Sequence, residues 1–310
     1  IIELLGAIVL SIRFVPKYGF FKGMWFSIFH SVSAFCNAGF DIIGDGNSML
    51  SYRHDPLVLC TLAVLVAIGG LGFIVWEDII AKKSWKRLNV YSKVIIFAQI
   101  FFIVAGAFVY FILEYGNINT IGAESVGQKI LASFFQSVTT RTAGFNTADL
   151  SGMTGASQAI MIVLMMIGGA PGSTAGGMKI TTFAVLTANA SATFRQREDT
   201  QMFGRRVGQE VLKNASTILM MYLFLVLMGG MVISVAENLP ISECLFETAS
   251  AVGTVGLTLG ITPQLGVLSK GILIALMFLG RVGGLTLVYA AMPGRKSAHA
   301  KMPLEKINVG

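Results

Sequence analysis

Three short stretches of this chain carry the same motif, in which a hydroxyl or amide residue and a small residue precede a glycine and an apolar side chain. Because glycine has no Cβ, such a bend can aim carbonyl oxygens inward, and the preceding side chain adds further oxygens. Such oxygens can replace the water around a dehydrated cation, so the pattern predicts a pore. The copies are Asn37-Ala38-Gly39-Phe40, Thr142-Ala143-Gly144-Phe145 and Thr254-Val255-Gly256-Leu257.

The stretches before the motifs also match one another, which argues against three unrelated glycine turns. Phe29 to Ala34 aligns with Phe135 to Thr140 and with Phe246 to Ala251, and the second copy is one residue shorter before its glycine. The motif glycines lie 105 and 112 residues apart, a spacing that suits a unit of two membrane helices with their loops.

The composition predicts a membrane protein. With 54% hydrophobic and 13% charged residues, a chain of 310 residues lacks the polar cover of a soluble domain. The 35 glycines fit close helix packing in lipid and irregular backbone along a watery cavity. The cysteines and histidines have no metal-ligand spacing, so no metal site is predicted.

The net charge of +7 lies in short clusters between apolar spans, a pattern that does not indicate nucleic-acid binding. If one helix pair separates successive clusters, all of them lie on one face, and the positive-inside rule makes that face cytoplasmic. The clusters are Lys82, Lys83, Lys86, Arg87 and Lys93; Arg195, Arg197, Arg205, Arg206 and Lys213; and Arg295, Lys296, Lys301 and Lys306.

The apolar segments predict an all-α fold in which a helix, a half-helix with its glycine motif and a second helix recur. The expected segments are 1–15, 24–36 and 56–80; 90–114, 125–140 and one from 157; and 211–235, 241–252 and 267–292. The units are therefore residues 1–88, 89–207, whose last helix is broken within 157–195, and 208–292, with a cytoplasmic tail at 293–310.

The half-helices are too short to cross a bilayer, so they are predicted to enter and leave on one side. Their C-terminal ends would carry a partial negative charge towards the membrane centre and favour a cation there. The predicted outer loops are acidic, which would concentrate cations. Their polar residues are Asp41, Asp45, Asn47, Asp149, Glu237 and Glu243.

A glycine-rich segment in the second unit is predicted to be an intramembrane loop lining the cavity, with a kinked helix as the alternative. Pro171 and its neighbouring glycines would break the hydrogen-bond ladder of a helix. The segment does not match a phosphate-binding loop, because Met178 separates Gly177 from Lys179. It comprises Gly168, Gly169, Ala170, Pro171, Gly172, Ser173, Thr174, Ala175, Gly176 and Gly177, and the other units carry glycines at 69–72 and 280–284.

Three cations, Arg141, Lys179 and Arg281, lie in or beside apolar stretches, where a charge is costly unless it faces water or a partner. Arg281 is predicted to stand in the ion path and to bond carbonyls of the glycine-rich segment, or else to pair with a buried carboxylate in helix packing. Arg141 is expected to brace the second motif, with Glu247 as a candidate partner. Lys179 either contributes to the pore or snorkels to the interface.

The chain resembles the potassium-translocating subunit of the Trk/Ktr/HKT superfamily, and most closely its Ktr type (KtrB-like). The likeness covers nearly the whole chain. The residues that carry it are F-C-N-A-G-F-D at 35–41, T-T-R-T-A-G-F-N at 139–146, A-V-G-T-V-G-L-T at 251–258 and G-G-A-P-G-S-T-A-G-G at 168–177.

The resemblance implies M1-P-M2 units (helix, re-entrant pore helix with filter loop, helix) around a pseudo-fourfold pore, with one filter glycine per unit. It further implies K⁺ as the transported ion, a gate at residues 168–177 and Arg281 in the conduction path. A homodimer in the bacterial plasma membrane would dock on a cytoplasmic ring of KtrA/TrkA-like regulatory subunits, which bind the ATP or ADP, while this chain holds no organic cofactor.

Three of the four expected units are present, and the start within a helix favours omission of the first over its true loss. The alternatives are a secondary transporter of a small solute and, if the first unit is lost, a non-conducting scaffold. The first alternative requires inverted repeats, whereas these units run in the same direction. An enzyme is not predicted, because no nucleophile, base and oxyanion arrangement can be assembled.

Overall fold

The computed structural model describes residues 1–43 and 48–283. The predicted features at Asp45, Asn47 and Gly284, the end of the last span at 292, the third basic cluster and the tail at 293–310 lie outside these residues. The described part is mostly helical. Its helices are α1 (Ile2–Tyr18), α2 (Phe20–Phe35), α3 (Pro56–Gly69), α4 (Phe73–Lys82), α5 (Val90–Glu114), α6 (Val126–Thr139), α7 (Gly155–Met166), α8 (Ile180–Phe194), α9 (Gln209–Glu237), α10 (Ile241–Gly253) and α11 (Val267–Val282).

Two long helices in the described ranges, α5 and α9, are apolar and long enough to cross a bilayer. Their lengths of 25 and 29 residues correspond to about 37 and 43 Å at the usual helical rise. The bent pair α3 and α4 satisfies the same criterion when it is counted as one span. Both long helices expose bulky apolar side chains, as expected of surfaces that face lipid.

The short helices α2, α6 and α10 end directly before the three motifs. They have 16, 14 and 13 residues, which is less than a bilayer requires. The start of α6 is fixed by a capping box, in which the Ser125 hydroxyl accepts from the Gln128 backbone N–H and the Gln128 side chain accepts from the Ser125 N–H. Helix propensity and capping therefore position the residues that precede the second motif.

The expected continuous span at 56–80 is wrong, because α3 and α4 meet at an angle of 89°. The helix stops at Gly70, and Gly72 adopts a φ of 85°, which a residue with a side chain rarely takes. At this bend the Gly70 carbonyl accepts from Ala170 N at 2.9 Å, and Phe73 N donates to the Gly172 carbonyl at 3.2 Å. The bend therefore serves to bind the glycine-rich segment of the next unit.

Where the sequence predicts a broken helix, α7 ends at Met166 and α8 begins at Ile180. The chain between them, residues 167–179, is non-helical, and we call it the crossing loop. Its two ends lie side by side, since Gly168 N donates to the Met178 carbonyl at 2.7 Å. The loop is thus closed on itself at the base.

The buried apolar residues form two clusters. One joins α1, α2 and α3 to Phe135 and Val138 of α6 and to Ala143 and Phe145 of the second motif. The other joins α5, α7, α9, α10 and α11 and includes Val255 and Leu257 of the third motif. The second and third motif loops are therefore each held by packing in one of these clusters.

A small departure from the all-α expectation follows α8. Strands β1 (Gln201–Met202) and β2 (Arg205–Arg206) form an antiparallel hairpin. Its turn residues Phe203 and Gly204 both have positive φ, 46° and 75°, as a two-residue hairpin turn requires.

Candidate functional site

The three motifs share one backbone conformation, with positive φ at the first motif residue and again at the glycine. Asn and Gly tolerate this left-handed region, whereas for the β-branched threonine it is strained. Two left-handed residues separated by one other residue turn the chain sharply at each motif. The φ values are 51° and 69° for Asn37 and Gly39, 64° and 79° for Thr142 and Gly144, and 53° and 89° for Thr254 and Gly256.

Equivalent hydrogen bonds tie each motif to the end of its short helix. The N–H groups of Ala38 and Val255 donate to the Ser33 and Ser250 carbonyls, both at 2.8 Å. The Ser33 hydroxyl donates to the Phe40 carbonyl over a separation of 7 residues, whereas the Thr139 hydroxyl donates to the Phe145 carbonyl over 6. The second motif therefore forms the equivalent hydrogen bond with one residue fewer in the turn.

The motifs lie next to one another in chain order. A Cβ on Gly39 would collide with the Ala143 carbonyl oxygen, and one on Gly144 would collide with the Val255 carbonyl oxygen. At Gly256 the atom nearest to a Cβ, among the described residues, is the Gly144 Cα at 3.9 Å. Main chain therefore packs directly on main chain between the first and second motifs and between the second and third.

The apolar residues that close the motifs differ in exposure. Phe145 and Leu257 are buried, at 0% and 2%, whereas Phe40 is 70% exposed. The structure therefore brings the second and third copies into the core on both sides of the turn, but leaves the last residue of the first copy at the surface of the described part.

A polar cavity of about 480 Å³ opens beside the three motif glycines. Its lining includes the carboxylates Asp41 and Asp149, which the sequence places on the outer face, together with Asn146 and Thr258. A concave site with acidic walls attracts cations. Its main-chain carbonyls and acidic side chains are oxygen ligands of the kind that alkali cations take.

Buried polar residues at one equivalent position of the short helices were missed as site residues by the sequence analysis. His30, Gln136 and Glu247 each follow the first phenylalanine of the aligned stretches, and all are at most 4% exposed. Glu247 accepts from the Thr258 and Thr262 hydroxyls, each at 2.6 Å, so it anchors the loop after the third motif. The alignment of the three stretches contains the signal that could have identified them.

The crossing loop contacts the first and third motifs. The Thr174 hydroxyl lies 2.9 Å from Asn37 Oδ1, and a Cβ on Gly176 would collide with the Thr254 side chain. Gly177 N donates to the Gly280 carbonyl at 3.3 Å. The loop therefore extends beneath the motifs, on the side where the short helices end.

Arg141 is almost fully buried and holds the start of the crossing loop. Its Nη1 donates to the Ile167 carbonyl at 2.8 Å and its Nη2 to the Gly168 carbonyl at 2.9 Å. The guanidinium carbon also lies 5.2 Å from the centre of the Phe102 ring. The expected partner Glu247 is wrong, because that carboxylate is engaged with the loop after the third motif instead.

The two other unusual cations also bond carbonyls of the crossing loop. Arg281 Nη1 donates to the Thr174 carbonyl at 2.5 Å, which is the type of contact that the sequence analysis expects. Lys179 Nζ donates to the Ala175 carbonyl at 2.8 Å. Three cations from different helices or helix ends thus bind carbonyls of one loop.

The fold and these loops define a helical membrane protein with three main-chain turns gathered beside a cavity that two carboxylates line. The family model described as TrkH, cation transport protein, matches residues 1–300. The chain belongs to this family.

Relatives and a solved structure agree with this membership. The chain is 39% identical to the potassium/sodium uptake protein NtpJ of Enterococcus hirae, over 100% of this chain and 69% of that protein. It is also 39% identical to the Ktr system potassium uptake protein B of Bacillus subtilis, over 93% of this chain and 64% of that protein. The crystal structure of the potassium transporter TrkH from Vibrio parahaemolyticus superimposes with a TM-score of 0.75 at 21% identity, over 94% of this chain and 62% of that one. The chain thus spans about two thirds of the length of each.

Proposed function

We propose that this chain functions in a channel-like K⁺ uptake subunit of the Trk/Ktr type in a bacterial plasma membrane. The observation that carries the proposal is the packing of the three glycine motifs, with equivalent strained turns, beside one acidic cavity. The names of two relatives support K⁺ as a transported ion, since one is a potassium uptake protein and the other, NtpJ, a potassium/sodium uptake protein.

In this proposal each motif supplies one part of a selectivity filter, and the carbonyls of the residues before each glycine coordinate the ion. The three groups of helices are M1-P-M2 units, with α2, α6 and α10 as pore helices. Among the described residues no atom lies closer than 3.9 Å to a Cβ on Gly256, which leaves room for a fourth loop that would complete a pseudo-fourfold ring. The coordinating carbonyls belong to Asn37, Ala38, Thr142, Ala143, Thr254 and Val255.

The crossing loop is the proposed gate. Its position beneath the motifs would obstruct an ion that leaves the filter towards the cytoplasm. Arg281 and Lys179 contribute positive charge to this region and bond the loop at Thr174 and Ala175. A movement of the loop would open the path and shift both cations together.

The proposed partners are a second copy of the subunit and a cytoplasmic ring of nucleotide-binding regulatory subunits. The Ktr system name of the relatives supports a multi-component assembly. The exposed basic residues after α4 and α8 supply a surface for such a ring. ATP or ADP would act on the ring and reach this chain through its loops.

Growth and ion preference test this function. The gene that encodes this chain should restore growth at low K⁺ to a bacterium without its own K⁺ uptake systems. In the same cells Gly256→Ser should lower the preference for K⁺ over Na⁺, because a side chain at a φ of 89° distorts the turn. A well-expressed protein that restores no growth, or a Gly256→Ser variant with unchanged preference, would overturn the proposal.

A further inference from the structure

The first motif differs from the other two at one position, where asparagine replaces threonine. Asn37 occupies the place of Thr142 and Thr254, with a similar positive φ and only 8% exposure. An amide side chain is longer than a threonine side chain and offers both an acceptor and two donors.

The Asn37 side chain joins the crossing loop to the second motif. Its Oδ1 accepts from the Thr174 hydroxyl at 2.9 Å, and the same hydroxyl lies 3.0 Å from the Phe35 carbonyl. Its Nδ2 donates to the Arg141 carbonyl at 3.2 Å. A threonine at this position has no second polar group with which to bridge both partners.

Arg141 completes this set of hydrogen bonds. The Arg141 carbonyl bonds Asn37, while its guanidinium bonds the Ile167 and Gly168 carbonyls at the start of the crossing loop. The first motif, the residue before the second motif, and the crossing loop at its start and at Thr174 therefore belong to one hydrogen-bond network. In such a network the position of the loop and the geometry of the turns depend on each other.

We propose that the Thr174 hydroxyl is a latch that holds the crossing loop against the first motif, and that Asn37 is the positioning residue that passes this restraint to the second motif. The inference rests on the proposed function, since the latch would keep the gate closed. Breaking the hydrogen bond of the Thr174 hydroxyl favours displacement of the crossing loop. The main-chain hydrogen bonds of the motifs remain.

The test measures K⁺ flux through the purified full-length protein in liposomes without its regulatory subunit. Thr174→Val keeps the shape of the side chain but removes the hydroxyl, so we expect flux to rise about three- to tenfold, the factor by which one lost hydrogen bond shifts a two-state equilibrium. Thr174→Ser restores the hydroxyl and should bring the flux back down. Thr193→Val is the matched control, because the hydroxyl of this exposed threonine bonds only the Asn189 carbonyl within α8 among the described residues, and it should leave the flux unchanged.

Asn37→Thr gives the first motif the residue of the other two and tests the coupling. It should raise the flux, and in the Thr174→Val background it should add less than a twofold change. Effects that multiply as for independent sites would overturn the role of Asn37. This variant also keeps the proposal testable if Thr174→Val fails to fold.

Hydrogen–deuterium exchange separates the latch from the proposed function. The amides of residues 168–177 should exchange faster in Thr174→Val than in Thr193→Val, whether or not the protein conducts. If exchange is faster in Thr174→Val but the wild-type protein carries no K⁺, the transport proposal is wrong and the latch is supported. Normal K⁺ flux with unchanged exchange in Thr174→Val would overturn the latch.

Discussion

The three motif glycines have different surroundings, although they occupy the same position in the motif. A Cβ on Gly39 or on Gly144 would collide with a carbonyl oxygen of the next motif. At Gly256 no described atom lies closer than 3.9 Å to such a Cβ. All three have positive φ, which disfavours any side chain. The same substitution should therefore reduce K⁺ uptake most at Gly39 and Gly144, where a backbone carbonyl oxygen lies at the position of the added Cβ.

Gly144→Ala should strongly reduce K⁺ uptake. The left-handed conformation costs about 1 to 2 kcal/mol for a residue with a side chain, and the Val255 carbonyl oxygen cannot move aside without disturbing the third turn. We expect K⁺ uptake to fall at least about tenfold, by the relation between free energy and rate. Uptake in cells depleted of K⁺ measures this effect.

The control for this substitution is Gly127→Ala in α6. No described heavy atom lies within 4 Å of a Cβ there, and the residue is helical, so uptake should stay at the level of the unmodified protein. Equal uptake by Gly144→Ala and Gly127→Ala would contradict a tight contact between the second and third motifs.

At the scale of residues, the sequence identified the motif glycines but not the conformation of the residues before them. Threonine rarely adopts positive φ, so nothing local in Thr142 or Thr254 indicates it. The strain is tolerated because the surrounding helices and the neighbouring turn fix the chain. The partners of Arg141 were missed for a similar reason, since carbonyls beside a helix break accept from its Nη1 and Nη2 in place of a carboxylate.

Arg141 supports the crossing loop as an element. A buried guanidinium that bonds two successive carbonyls of this non-helical segment gives the loop a fixed start. Its contact with the Phe102 ring also ties the loop to α5. The non-helical segment is therefore held by charge-assisted bonds at its base.

Arg141→Gln should destabilise the folded protein by about 2 kcal/mol, because glutamine is too short to reach both carbonyls and a buried unpaired group costs roughly that much. The thermal unfolding midpoint in detergent measures the loss. Arg205→Gln serves as the control, since this arginine lies exposed in β2. Equal midpoints for the two variants would contradict the supporting role of Arg141.

At the scale of elements, the apolar pattern alone predicted helix α5 at residues 90–114, as observed, and placed the short helices within a few residues. It failed at the bend between α3 and α4. Three glycines between Gly69 and Gly72 permit a bend, yet the turn is made by hydrogen bonds to Ala170 and Gly172, about a hundred residues further along the chain. A window of local hydropathy contains no information on such a contact.

Across the whole molecule, the basic and acidic regions lie at opposite ends of α5. Lys93 stands in its first turn, whereas Glu114 at its end accepts from Thr154 N at 3.0 Å, close to the acidic wall at Asp149. The hairpin after α8 returns to the start of α5, since the Phe97 and Phe203 rings lie 6.5 Å apart. Both described basic clusters therefore belong to one end.

Thiol labelling of intact cells should show this orientation. With the exposed Cys36 and Cys60 replaced by serine, a cysteine at Ser151 should react with a membrane-impermeant reagent, whereas one at Lys86 should react only after the cells are opened. The remaining Cys244 is buried and gives the background signal. Labelling of the Lys86 site in intact cells would reverse the orientation.

The three turns are encoded separately within one polypeptide, and Asn37 shows that they have already diverged. In an assembly of identical subunits every substitution recurs around the axis and its effects are multiplied. Here a single codon change replaces a residue in one turn only. Under the proposed function, ion preference and the hold on the crossing loop would accordingly be adjustable one turn at a time.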